Sequence, residues 1–255
     1  MHQYSYDGTL EGYLSIIYHC IELQVAPKRM KSTRLIREFE ANDYEFIRTN
    51  YYDADRLYRH IGDISSVQVQ QMILDSFLTN IPNKEMDIYY LICKAYREGA
   101  KVAGDYNDEV LHKLHIAIRD LYREAHFYIL QMPIVHFEDV SLAMIEPRNF
   151  VLPIIFSNIS DRPELDDFLI FDRRHNIGMI RHGEQSGIYD LSRLPCQVVT
   201  DSFENVYNTI WKYVRHGNLG ISAASGAQMP RNNSLEKKKQ GDLAGALTRL
   251  WLIAS

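Results

Sequence analysis

The chain has 255 residues, of which 46% are hydrophobic and 24% charged, enough to bury a sizeable core as one large domain or two small ones. A formal net charge of −5 excludes a surface that is basic all over, so any nucleic acid must be met by a local patch. Three cysteines, Cys20, Cys93 and Cys196, lie far apart with no CxxC pair, which argues against a disulfide framework, a zinc site or an iron–sulfur cluster held by this chain alone; no metal or cofactor is expected.

In chain order, Gln3 to Tyr6 alternates as a short strand, Asp7-Gly8 supplies a turn, and Thr9 is placed to cap a helix. Leu10, Tyr13, Leu14, Ile17, Ile21 and Val25 then recur at helical spacing until Pro27 closes the segment. The opening residues MHQYSYDGTLEGY have neither the cationic start nor the apolar run of a signal peptide, and no stretch approaches the ~18 apolar residues of a membrane span. A cytoplasmic, reduced protein without membrane association is the expectation.

Lys28, Arg29, Lys31, Arg34 and Arg37 form a basic run with no acid among them. Such a run meets phosphates or an acidic partner, or is a solvated linker, the commoner use of charge runs. The spacing predicts helices over 53–61, over 65–79 with Ser65 as cap, over 85–99, and over 109–130, the longest. Met86, Tyr89, Tyr90, Cys93 and Tyr96 face a core in the third of these. Residues 1–132 therefore read as mostly helical, with one early strand.

Pro133 marks a change of character. Strands are predicted over 141–145, 168–172, 177–181 and 188–191, with a turn and short helix over 147–158, followed by a helix over 201–215. The fold class is α+β: a helical first half, an antiparallel strand meander, and a late helix, with residues 1–215 as one domain. Residues 216–255 form a basic, weakly patterned tail; from Lys212 onward there are seven Lys or Arg and two acids.

Few clusters carry chemistry. Glu109, His112 and His115 make an ExxHxxH run on one helix, but the second such helix that a carboxylate-bridged metal pair needs is missing. Glu124 and His126, two apart on a helix, do not face each other; they are helix-end surface, or enter a shared site with residues of the second half. Arg162 lies before Pro163 and is extended, while Asp172-Arg173-Arg174-His175 ends a buried strand. Two arginines at a strand end suit bidentate phosphate contact; the alternative is a structural ion pair such as Asp172 with Arg162. Gly183-Glu184-Gln185-Ser186-Gly187 reads as a hairpin turn. Tyrosines are numerous, and pairs such as Tyr51-Tyr52 and Tyr89-Tyr90 interleaved with arginine suit base stacking, although at helical spacing most belong to the core.

Several stretches taken together resemble a known family: YDGTLEGYLSIIY at Tyr6 to Tyr18, Arg123-Glu124-Ala125-His126, IEPRNFVLPII at Ile145 to Ile155, Ser160-Asp161-Arg162, and FLIFDRRHNIGM at Phe168 to Met179. In this order they are similar to a bacterial family of DNA metabolism and repair proteins over residues 4 to 213. The resemblance implies a protein encoded beside a radical-SAM protein of DNA modification or repair, in a short form without the uracil-DNA-glycosylase-like C-terminal domain of longer members. It brings no catalytic residues. The chain departs from the family where Phe127-Tyr128-Ile129-Leu130 replaces an aromatic and basic run, and where Ser157-Asn158-Ile159-Ser160 replaces a His-Phe pair.

The expectation is a nucleic-acid-binding or adaptor component, with DNA and the radical-SAM protein as partners. Its phosphate contacts would be Arg162, Arg173, Arg174, Lys28, Arg29 and Lys31. The alternatives are a DNA-acting enzyme using Glu124, His126 and Asp172 as acid–base groups, or a protein–protein module that meets no nucleic acid.

Overall fold

A strand, a turn and a helix start the chain as their residues dictate. The computed structural model describes residues 2–159, 167–183, 185–191 and 202–215, so Arg162, Cys196 and the basic tail lie outside the described residues. The described residues fall into two units, one ending at Ile118 and the other beginning at Arg119. Both mix helices and strands, and the fold is α+β.

In the first unit β1 (Gln3–Tyr6) buries Tyr4 and Tyr6 and passes through Asp7-Gly8 into α1 (Leu10–Leu23). Thr9 caps α1, accepting at Oγ1 from the Gly12 amide at 3.0 Å. Asp7 fixes the cap, accepting from the Thr9 amide at 3.0 Å and its hydroxyl at 2.6 Å. The helix stops at Gln24, whose left-handed backbone donates back to the last turn.

The early strand has two partners that periodicity did not reveal. β2 (Arg29–Ser32) and β3 (Glu45–Phe46) both run parallel to β1, in the order β2-β1-β3. The basic run is therefore partly a strand: Met30 and Ser32 point inward while Arg29 faces water and Lys31 is half-buried. Cations on an edge strand discourage pairing with other chains, and here they hide the alternation. α1 is the crossover a parallel pair requires.

α2 (Tyr51–Ile64), α3 (Val67–Leu78), α4 (Lys84–Glu98) and α5 (Glu109–Gln131) follow. Ser66 rather than Ser65 caps α3, accepting from the Val69 amide, while the Ser65 amide closes α2 on Ile61. The first unit's core joins Tyr4, Tyr6, Tyr13, Ile16 and Ile17 to Leu57, Ile61, Ile73, Leu91 and Ile92. Lys94, almost fully buried, is neutralised by Asp105 at 2.6 Å and Asp108 at 2.8 Å, and Tyr90 also donates to Asp108.

The second unit carries a five-stranded sheet in sequence order, β4 (Val135–Phe137), β5 (Val140–Ile145), β6 (Phe168–Asp172), β7 (Ile177–His182) and β8 (Gln185–Asp190). Three of the four pairings are antiparallel; β5 and β6 are parallel, with α6 (Leu152–Ile159) lying between them in sequence. All five residues of β6 are buried, as expected of a central strand covered on both faces. The late helix runs as α7 (Phe203–Val206), a π turn over Tyr207–Trp211, and α8 (Lys212–Arg215). It sets Val206, Tyr207, Ile210 and Trp211 into a core with Leu142, Leu169 and Phe171.

Candidate nucleic-acid interface

The parallel pairing of β5 with β6 decides what meets at the carboxyl ends of these strands. Ile145 sits opposite Asp172, and one further bond, from the Arg173 amide to the Ile145 carbonyl at 2.9 Å, extends the ladder past the strand ends. Parallel strands leave a sheet at one edge, so Glu146-Pro147-Arg148-Asn149-Phe150 and Arg173-Arg174-His175-Asn176 emerge side by side.

Two carboxylates hold these loops. Asp172, 0% exposed, accepts from the Arg174 amide at 3.0 Å, the His175 amide at 3.1 Å and His175 Nδ1 at 2.6 Å. Glu124 reaches from α5 and accepts from the Arg148 amide at 2.6 Å, and from the Asn149 amide at 2.9 Å and side chain at 2.8 Å. The Phe150 ring lies 5.7 Å from that of His175, joining the loops through their aromatic faces. Tyr128, one helical turn beyond Glu124, has its phenol pushed up by burial; Glu124, Asp172 and Glu146 add to that, against a backbone hydrogen bond at Glu146.

The loops present three exposed guanidiniums, Arg148, Arg173 and Arg174, none with a carboxylate at ion-pair distance among the described residues. Exposed Glu146 adds one negative charge at the same end. Such donors, on loops pinned from behind, are suited to phosphate oxygens. At the opposite end of the β6–β7 hairpin, Asp167 accepts from His182 Nδ1 at 2.7 Å and from the Gly183 amide at 2.9 Å, and His182 meets buried Trp211 edge-on. The GEQSG stretch read as a hairpin turn lies mostly in β8, where Gln185, Ser186 and Gly187 pair with His182, Arg181 and Ile180.

Of the residues singled out by sequence, the structure gathers Glu124, Asp172, Arg173 and Arg174 around one end of the second sheet. His126 is exposed on α5 at a position turned away from Glu124. Lys28, Arg29 and Lys31 belong to the first unit; Lys31 pairs with Glu40 at 2.8 Å, and Arg29 donates to the Tyr44 hydroxyl oxygen. Arg162 lies outside the described residues, so its pairing with Asp172 is not described. Arg148 and Phe150 were not singled out, because only the parallel register brings IEPRNF beside the strand end; His175 stood in the Asp172–His175 stretch but was given no role of its own.

In the ExxHxxH run, the His115 ring stacks at 4.4 Å from Tyr106 and burial lowers its pKa; among the described residues no three metal-ligating side chains converge. Cys20 and Cys93 are buried free thiols, pushed up to about 12 and about 11, chiefly by burial. They are core residues rather than nucleophiles. No helix among the described residues is long and apolar enough to cross a membrane.

Neither a curated protein nor a solved structure matches this chain. A family model described as a domain of unknown function, DUF4130, matches residues 82–225. This segment covers more than half of the chain and includes Glu124, Arg148, Asp172, Arg173 and Arg174. The chain therefore belongs to the DUF4130 family, and the loop cluster at the carboxyl ends of β5 and β6 lies within the matched segment.

Proposed function

We propose that the chain is a nucleic-acid-binding component of a DNA metabolism or repair system, working in the cytoplasm with a radical-SAM partner that supplies the iron–sulfur chemistry. The observation that carries this reading is the group of three exposed guanidiniums without a carboxylate at ion-pair distance among the described residues, Arg148, Arg173 and Arg174, on loops anchored by Glu124 and Asp172. On a chain of net charge −5 a cation group of this kind serves a local anionic ligand rather than general solubility.

Fluorescence-anisotropy titration of labelled duplex DNA tests it. Three phosphate contacts give a log–log salt slope of about −2.7, so affinity falls about 40-fold from about 50 to about 200 mM salt. Arg173→Ala/Arg174→Ala should lower that slope by about 1.8, and Arg148→Ala by about 0.9. A salt-independent affinity, or binding unchanged in the triple variant, would overturn the reading.

A second reading, a DNA-acting enzyme, draws support from the Asp172–His175 pair. A buried carboxylate holding Nδ1 of a half-exposed histidine is the arrangement of an oriented base. Glu124 has both oxygens engaged by the Arg148–Asn149 loop, so support for the acid–base role runs through His175. His175→Gln should keep DNA binding and abolish any product in gel assays; loss of binding alone would remove this alternative.

A further inference from the structure

Among the exposed aromatics of the described residues, two groups of three stand apart. Phe39 has Arg37 over its ring at 6.0 Å, Tyr106 stacks on His115, and Phe127 packs against Tyr128. Phe46, Tyr51 and Tyr52 are 54%, 59% and 67% exposed, with no ring, cation or hydrogen-bond partner at their side chains. Tyr51-Tyr52 thus departs from the core placement expected of most tyrosines. All three lie within seven residues of one another, on β3 and in the first turn of α2.

Their setting is built. β2 and β3 flank β1 in parallel, so all three strands deliver their carboxyl ends to one edge of the first sheet. Arg34, just past β2, reaches the Asp7-Gly8 turn, its Cδ 3.7 Å from where a Cβ on Gly8 would stand. Thr49, just past β3, donates to Asp7 across the same turn at 2.7 Å. The start of α2 is tied to α1, the Asn50 amide donating to Ser15 Oγ at 2.9 Å. Between Phe46 and Tyr51 stands Arg48, exposed and without an ion-pair partner among the described residues.

Charge tells what this face takes. Asn50 already accepts from the Tyr52 and Asp53 amides, so these two donors of the helix start are taken, and Arg48 carries the positive charge between the rings. Four acids lie nearby: Asp7 accepts from Thr9 and Thr49, Asp53 from Asn50, Glu11 is part-buried in the first turn of α1, and Glu45 is on the opposite side of β3 from Phe46. Flat apolar rings interleaved with an arginine match a strand whose bases are unpaired, because a duplex keeps its base faces covered.

We propose that this face of the first unit is a stacking platform for unpaired nucleotides, with Phe46, Tyr51 and Tyr52 receiving base faces and Arg48 meeting phosphate. It lies outside the segment matched by the family model, and does not depend on the duplex-facing reading of the second unit. The test compares labelled oligo-dT with a blunt hairpin duplex on the full chain. Tyr51→Ala/Tyr52→Ala should weaken oligo-dT binding about 30-fold, each stacked base being worth a factor of roughly 5 to 150. Duplex binding should be unchanged, and Tyr51→Phe/Tyr52→Phe should retain wild-type affinity on both. Arg48→Ala should reduce the single-strand salt slope by about 0.7. The high exposure of these side chains predicts unchanged melting temperatures, measured alongside. Equal losses on both ligands, unchanged oligo-dT affinity, or a wild type that does not bind oligo-dT would overturn the proposal; the last result would leave the face to a protein partner.

Discussion

Glu124 separates a loop anchor from a proton-transfer group. Its carboxylate accepts three hydrogen bonds, from the Arg148 amide at 2.6 Å and from the Asn149 amide and side chain at 2.9 and 2.8 Å. Hydrogen bonds to a charged group contribute roughly 1.5 to 3 kcal/mol each where the donor stays buried when freed. Here Arg148 is exposed and Asn149 half-buried, so water replaces much of what Glu124→Ala removes, and the net loss should be about 1 to 2 kcal/mol. For a chain of this size that lowers the melting temperature by about 2 to 8 °C. Glu124→Gln keeps one acceptor oxygen, placed for the two Asn149 donors, and sets an amide against the Arg148 N–H; its loss should be about half as large. Thermal melts and urea titrations of wild type and both variants give the stabilities, and duplex titration should show both weakened, Ala more than Gln. A Glu124→Ala protein as stable as wild type, with unchanged DNA affinity, would refute the anchor role.

The remaining predictions concern the two cores and the second carboxylate. Burial raises the Asp108 pKa, but hydrogen bonds from Lys94 and Tyr90 outweigh it and bring it to about 2. A depressed folded pKa means stabilisation that is full above the unfolded value near 4 and lost as pH falls from there toward 2. Urea midpoints from pH 7 to pH 2 should converge for wild type and Asp108→Asn at the acid end; a constant difference would refute this. Lys94→Met leaves Asp105 and Asp108 facing each other without their cation, and should cost about 2 to 4 kcal/mol in a urea titration, less than a fully buried pair because the aspartates touch water. In a Cys196→Ser background, Cys20 and Cys93 should not react with a thiol reagent at pH 8 until guanidinium unfolds the chain, since burial suppresses both thiolates; reaction in the native state would refute their core placement. Asp172→Ala frees three donors at once and should lower the melting temperature more than Glu124→Ala, because Asp172 is fully buried.

Legibility from sequence followed the length and regularity of each element. α1 could be read because Thr9 and five apolar positions from Leu10 to Ile21 agree on one start and one period, although the helix stops at Gln24, ahead of Val25 and Pro27. β2 could not: four residues with two cations on the outward side look like a linker until a parallel partner is known. β3 has two residues, too few for any period. The strand meander was legible in its members, but the direction of the β5–β6 pair was not, since alternation is the same for parallel and antiparallel ladders. That one ambiguity hid half the candidate interface. Arg173 and Arg174 stand at a visible strand end, whereas Arg148 and Phe150 join them only through the parallel register. Spacing alone did not separate Tyr51 and Tyr52 from the tyrosines of the core, yet both are exposed in the capped first turn of α2.

Parallel pairing is also the physical reason for cations gathering where they do. An antiparallel hairpin sends its two strands in opposite directions, so the residues following each strand end on opposite edges. A parallel pair sends both out at one edge, and the polar residues that end each strand collect there. In the first unit this brings Arg34 and Arg48 to the Asp7-Gly8 turn; in the second it brings Arg148 beside Arg173 and Arg174. A chain of net charge −5 thus acquires locally cationic sheet edges without becoming basic as a whole. The two edges differ in what accompanies the charge. Unpartnered aromatics lie beside the first, while a histidine held by buried Asp172 and in ring contact with Phe150 backs the second. Open rings favour unpaired bases and a braced row of guanidiniums favours backbone phosphate, so the ratio of single-strand to duplex affinity should respond to the first set of substitutions, and the duplex salt slope to the second.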